Sequence, residues 1–320
     1  MAAQYATRMD IVLNDGASRL LRAPRAASSN GAALLVPSML QRWHILDLRK
    51  EASLVRALSE KGLDVFVLDW GELGSDTRLA FDEAVGRVSR ALRQVVRLTG
   101  KSRPALVGYS QGATLAAIVA ALEPSRVGAL VNLAGPIDFS VQGVLSPLTD
   151  ARMVDVDALA DAGGAPAGIF RGLVAALHPG ATALSAMSAI AHPNEDIRRS
   201  FAALERWADD PVPLPPEVLR VWVKRLYQEN ALLSGRLSVC GRRVNLGAVT
   251  ASVLVVTAER DTICPEKAST ALLTHVSSAT RRHLVVPGGH VSGIAGPTSR
   301  EFVHLPVGDW LVSEENVSAA

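Results

Sequence analysis

At 320 residues the chain is long enough to bury the core of one large α/β domain with an insertion. It is 48% hydrophobic and 20% charged, with a formal net charge of +2, a balance that argues against a nucleic-acid surface. No run of eighteen or more apolar residues predicts a membrane span, and Met1 to Asp10 lacks the apolar core of a secretory signal. Cys240 and Cys264 show no metal-ligand spacing, so the expectation is a cytoplasmic protein with two free thiols, no metal and no cofactor.

Taken in chain order, apolar runs near 33–37, 64–69, 104–109, 127–133, 252–258 and 283–287 predict buried strands. Helical patterns separate them, among them one over Ser53 to Leu58 and a long one from Leu79 to Leu98. Such alternation predicts a mostly parallel sheet with helices on both faces. It breaks between about 140 and 235, where no strand is expected and where Trp207, Trp222 and Pro211-Val212-Pro213-Leu214-Pro215-Pro216 fall. The expected organisation is therefore a core over 1–139 and 236–320 with a helical cap over 140–235. Caps of this kind shape an apolar pocket and exclude water.

The chemistry begins at Gly108-Tyr109-Ser110-Gln111-Gly112. The strand Ala105-Leu106-Val107 precedes it and the helix-forming run Ala113 to Leu122 follows it. Strand, Gly-x-Ser-x-Gly and helix together predict a nucleophile elbow, with the serine oxygen exposed at a tight turn and a helix N-terminus aimed at developing negative charge. A serine needs a base and an acid to orient that base. Asp261 follows the strand Ala251 to Ala258, and His290 follows the strand His283 to Pro287. In a parallel sheet the C-terminal strand ends share one edge, so Ser110, Asp261 and His290 can meet there. Glu259 and Asp138 are alternative acids, the second lying after the strand that follows the elbow; Asp69 lies before the elbow. Of the other histidines, His283 opens a strand, His275 and His304 read as helix-surface or helix-end residues, His178 and His192 fall in the middle region, and His44 reads as a packed ring near the pocket. For the oxyanion the expected donors are the backbone N–H of Gln111 and one from the loop after Ala32 to Val36. Pro37 has no N–H; Met39 is the first choice and Ser38 the second.

The order Ser110, Asp261, His290 is that of α/β-hydrolase triads. Beyond it, Leu63-Asp64-Val65-Phe66-Val67-Leu68-Asp69-Trp70-Gly71, Ile45-Leu46-Asp47-Leu48, Gly135-Pro136-Ile137-Asp138-Phe139, Leu226-Tyr227-Gln228-Glu229-Asn230 and Pro287-Gly288-Gly289-His290 recur in the order found in polyhydroxyalkanoate synthases. The chain resembles that family from about residue 30 to about residue 312. The resemblance implies the α/β-hydrolase fold, an acyl substrate and compatibility with a homodimer. Two departures bear on activity. The synthases carry cysteine in the elbow, where this chain has Ser110, and typically histidine after the aspartate, where this chain has Thr262. A serine acyl-enzyme is an oxygen ester, without the activation of a thioester, so water becomes the natural acceptor. The expected function is a serine esterase or thioesterase acting on a small or oligomeric acyl ester. A synthase-like acyltransferase and a non-catalytic accessory protein are the other classes left open.

Overall fold

The computed structural model describes residues 6–25, 30–73, 78–168, 172, 187 and 191–318. Eight strands form the central sheet: β1 (Asp10–Asp15), β2 (Ser18–Arg22), β3 (Gly31–Val36), β4 (Leu63–Asp69), β5 (Ala105–Tyr109), β6 (Ala129–Leu133), β7 (Ser252–Ala258) and β8 (Arg281–Val286). Their spatial order is β1-β2-β4-β3-β5-β6-β7-β8. Pairing is parallel from β4 to β8 and antiparallel where β2 meets β4 and β1.

The six strands expected from apolar runs form the parallel part. β3, β4, β5 and β6 are buried at every residue, as strands covered on both faces must be. The β1–β2 hairpin was not anticipated. Its first strand lies at the sheet edge and offers only the short apolar run Ile11-Val12-Leu13. The readable signal was Asp15-Gly16, a hairpin turn dipeptide, and Gly16 does take a positive φ of 62°.

Helices cover both faces. α1 (Leu54–Glu60) is capped by the Ser53 side chain, which accepts from the Arg56 N–H. α2 (Phe81–Thr99) turns one apolar stripe inward and ends at Gly100 in the left-handed conformation. α3 (Gln111–Leu122) is buried along all but its last residue, so it reads as apolar all round rather than amphipathic. Two core clusters result. One spans β3, α2, α3 and the segment from Val212 to Val249; the other lies under α1 and the C-terminal helix α7 (Leu305–Ser318, with α4 to α6 given below).

Between β6 and β7 the described residues are helix and loop, apart from a short antiparallel pair, Ser238–Val239 with Arg242–Arg243. They include α4 (Val156–Asp161), α5 (Glu195–Ala208) and a π-helical run Val221–Gln228; α6 (Glu266–His275) follows β7. No described residue of 140–235 belongs to a strand, apart from isolated bridges at Ala165–Leu214 and Gln41–Pro211. His178 and most of the small-residue run near 181–191 lie outside the described residues.

Candidate active site

Ser110 sits between β5 and α3 with φ 53° and ψ −122°, a conformation costly for a residue with a side chain. The surroundings over-determine it. Its N–H donates to Leu133 O at 2.9 Å, and its carbonyl accepts from the Ala113 N–H at 3.0 Å. The turn is tight because no side chain could fit beside it. A Cβ on Gly108 would lie 2.2 Å from Ala113 Cα, and one on Gly112 would lie 2.0 Å from Val36 O. The two glycines of the motif are therefore required by contact with backbone.

The three residues expected to cooperate are brought together. Asp261 follows β7, and His290 lies four residues past the end of β8, both at the C-terminal edge of the sheet. His290 Nδ1 is 2.8 Å from Asp261 Oδ2, and His290 Nε2 is 3.0 Å from Ser110 Oγ. A carboxylate can only accept, so Nδ1 carries the proton and Nε2 is left to accept from the serine hydroxyl. The Asp261 side chain is fully buried, and its other oxygen accepts from the N–H groups of Ile263 (3.0 Å) and Cys264 (2.8 Å). Four groups thus fix the carboxylate and the imidazole before any substrate arrives. Tyr109 lies alongside, its ring centroid 5.6 Å from that of His290 and its hydroxyl 3.4 Å from the His290 carbonyl oxygen. Burial, with a smaller contribution from the Asp261 charge, pushes the Tyr109 phenol up, so it stays protonated.

None of the alternative acids is bonded to His290 among the described residues. Glu259 is exposed, its N–H held by Val286 O. Asp138 accepts from Asn230 Nδ2 and from the N–H and hydroxyl of Ser140. Asp69 is bound by Arg19 and the Gly71 N–H. The remaining described histidines have partners of their own. His283 pairs with Thr257 Oγ1, His275 reaches Ala271 O on an exposed helix end, and the His192 ring accepts from the Asn194 N–H. His304, expected at a helix surface or helix end, is the last residue of the π-helical turn Arg300–His304 and is only 2% exposed, with Nε2 donating to Ile294 O.

The oxyanion loop departs from expectation in one respect. No hydrogen bond takes up the Gln111 N–H among the described residues. The Met39 N–H, however, donates to Gln111 Oε1 at 3.2 Å, so in this conformation it is spent inside the protein. Ser38 Oγ donates to the same oxygen at 3.3 Å and accepts from the Leu40 N–H. The loop is also joined to residues 207–212. The Val212 N–H donates to Leu40 O at 3.1 Å, Trp207 Nε1 donates to Arg42 O at 2.9 Å, and the Arg42 guanidinium pairs with Asp210 and Glu72.

A cavity of about 320 Å³ opens over the serine. Ser110, Gln111 and His290 line it together with Trp207, Trp222 and Tyr227. The walls are mainly apolar. Cys264 also reaches the cavity, but burial raises its thiol far above its ordinary value, so it is a poor nucleophile there. Among the described residues no group of three or more His, Cys, Asp or Glu side chains could hold a metal, and no helix is long and apolar enough to cross a membrane.

Comparison with known proteins agrees with this geometry at the level of fold. The chain is 28% identical over 286 residues to the poly(3-hydroxyalkanoate) polymerase subunit PhaC of Allochromatium vinosum, covering 87% of this chain and 79% of that one. It is 26% identical over 285 residues to the corresponding subunit of Thiocystis violacea, with the same coverage. Among solved structures it resembles a monoglyceride lipase variant from Saccharomyces cerevisiae, with a TM-score of 0.64, 13% identity and 96% of each chain covered. It also resembles the monoacylglycerol lipase of Paleococcus ferrophilus, with a TM-score of 0.57, 17% identity, and coverage of 92% of this chain and 99% of that one. The family described as alpha/beta hydrolase fold matches residues 34–297. With the sheet order, the strained serine turn and this match in agreement, the chain belongs to the α/β-hydrolase fold family.

Proposed function

We propose that this protein is a serine hydrolase that cleaves carboxylic esters or thioesters through an acyl-enzyme on Ser110. The observation that carries the reading is the relay from Ser110 Oγ to His290 Nε2 at 3.0 Å and from His290 Nδ1 to Asp261 Oδ2 at 2.8 Å. Ser110 Oγ attacks the acyl carbon while His290 Nε2 takes its proton, and Asp261 stabilises the imidazolium that forms. The imidazolium then protonates the departing alcohol or thiol. Water repeats the sequence in reverse roles, releasing the free acid and restoring the serine. The Gln111 N–H, at the start of α3, faces the charge that develops on the carbonyl oxygen.

Residues 140–235 act in this reading as a cap, with the hydrolase core in 1–139 and 236–320. Supporting this, Trp207, Trp222 and Tyr227 line the same cavity as the serine with apolar surface, which suits an acyl chain and limits access of water. Hydroxyacyl esters and polyester oligomers are the substrate classes suggested by the polymerase relatives. Treatment with a fluorophosphonate tests the nucleophile: one equivalent should attach at Ser110, and Ser110→Ala should lose both labelling and turnover. Attachment at another serine would remove the basis of the assignment.

A second reading, acyl transfer from a hydroxyacyl-CoA, is favoured by one observation: the curated relatives are named as polymerase subunits over 87% of this chain. The oxygen-ester intermediate argues against it. A growing chain must stay activated between additions, and an ester on Ser110 has lost the thioester's activation.

A further inference from the structure

The hydrogen bonds around Gln111 determine which way its carboxamide points. The Met39 N–H is an obligate donor, so the atom 3.2 Å from it must be the carbonyl oxygen. Ser38 Oγ, 3.3 Å from the same atom, agrees with that assignment. Two donors from the loop after β3 thus clamp Oε1, in a side chain only 6% exposed. The other end of the carboxamide is then necessarily Nε2. It has no acceptor among the described residues, although Gln111 lines the cavity beside Ser110 and His290. An amide donor is thus oriented by its neighbours and left without a partner in a residue that lines the cavity with Ser110.

We propose that Gln111 Nε2 is the second oxyanion donor, supplementing the Gln111 backbone N–H, and that Ser38 and Met39 orient it rather than bind the substrate themselves. The inference rests on the Ser110 hydrolase reading. It replaces the Met39 N–H, which is spent on Oε1, with a side-chain donor whose geometry that same N–H enforces. One residue then supplies both donors, one from the helix N-terminus and one from its side chain. Because the carboxamide is held before substrate arrives, little reorganisation accompanies charge development on the acyl oxygen, the condition under which such donors are most effective. Loss of one preorganised oxyanion donor costs on the order of 10²–10³ in kcat.

The test is a crystal structure of the wild-type protein after reaction with p-nitrophenyl ethylphosphonate, whose phosphonyl oxygen mimics the oxyanion. The expected adduct on Ser110 has that oxygen within hydrogen-bond distance of both Gln111 N and Gln111 Nε2, with Oε1 still on the Met39 N–H. An adduct whose oxygen is held by the Met39 or Leu40 N–H, with the Gln111 side chain turned away, overturns the inference and leaves the hydrolase reading intact. Absence of any adduct at Ser110 overturns the hydrolase reading and the inference with it. Kinetics gives an independent readout. Gln111→Met should lower kcat on a short p-nitrophenyl ester about 10²–10³-fold while KM stays within about threefold. Wild-type kcat in Gln111→Met overturns the inference.

Discussion

Asp138 Oδ1 accepts a hydrogen bond from Asn230 Nδ2 at 2.8 Å, and Asn230 Oδ1 in turn accepts from the Phe139 N–H at 3.1 Å. Asn230 holds this exchange from a left-handed backbone, φ 46°, at the point where the chain leaves the π-helical run Val221–Gln228. The pair fastens Asn230 to the segment that follows β6. It also engages the carboxylate that, from sequence, competed with Asp261.

Asp138→Asn should therefore leave kcat within a few-fold of wild type and act mainly on stability, by about 1–2 kcal/mol. Asp261→Asn should lower kcat on the order of 10⁴-fold, because an amide can present its N–H to His290 and enforce the wrong tautomer. Steady-state kinetics and urea unfolding on both variants check the assignment. The reverse ranking would move the acid to Asp138.

Gly112→Ala should cost about 3 kcal/mol or more, because its Cβ would lie 2.0 Å from Val36 O and 2.6 Å from Pro37 O, backbone atoms fixed in the sheet. Gly100→Ala is the control. Gly100 has a left-handed φ of 70° but nothing within 4 Å of an added Cβ, so only the backbone conformation is penalised, by about 1–2 kcal/mol. Denaturant midpoints compare the two. Equal losses would show that the elbow tolerates a side chain at Gly112.

Trp207→Phe removes the indole N–H that donates to Arg42 O while keeping most of the apolar wall. If residues 140–235 hold the oxyanion loop in place, kcat/KM should fall up to about tenfold, in line with one hydrogen bond. Unchanged kinetics would separate the insertion from the oxyanion loop.

Burial holds the His304 imidazole down to about 4, below its ordinary 6.5, so it is neutral in the folded chain. Below pH 6.5 the unfolded chain takes up a proton that the folded chain refuses. The stability contribution is therefore complete above about pH 6.5 and is lost as pH falls toward 4, to a total of about 3 kcal/mol. Urea unfolding at pH 7 and pH 5 should show the wild type losing about 2 kcal/mol more than His304→Gln, which no longer titrates. Parallel losses in the two proteins would contradict the buried neutral ring.

The parts legible in the sequence were those written as local pattern. The continuous apolar runs of β3 to β7 could be read without pairing partners, and Gly108-Tyr109-Ser110-Gln111-Gly112 marked the one turn where strand and helix must cross closely. Asp261 and His290 could be singled out because each follows a strand whose C-terminal end lies on the same sheet edge. What escaped depends on contacts between distant segments. The β1–β2 hairpin offered only the short apolar run Ile11-Val12-Leu13, the burial of His304 depends on its contact with Ile294, and the capture of the Met39 N–H depends on the side-chain conformation of Gln111, 72 residues away. No periodicity encodes a rotamer.

The central claim is hydrolysis at Ser110 on a scaffold whose curated relatives are named as polymerases. The most direct measurement is product analysis of the wild-type protein given 3-hydroxybutyryl-CoA and p-nitrophenyl butyrate in parallel, following CoA, nitrophenol, free acid and polymer together. The account predicts free acid in step with each leaving group and no polymer, with all products lost in Ser110→Ala. Polymer accumulating from the CoA ester in the wild type, and absent in Ser110→Ala, would contradict it and identify the serine as the nucleophile of an acyltransferase.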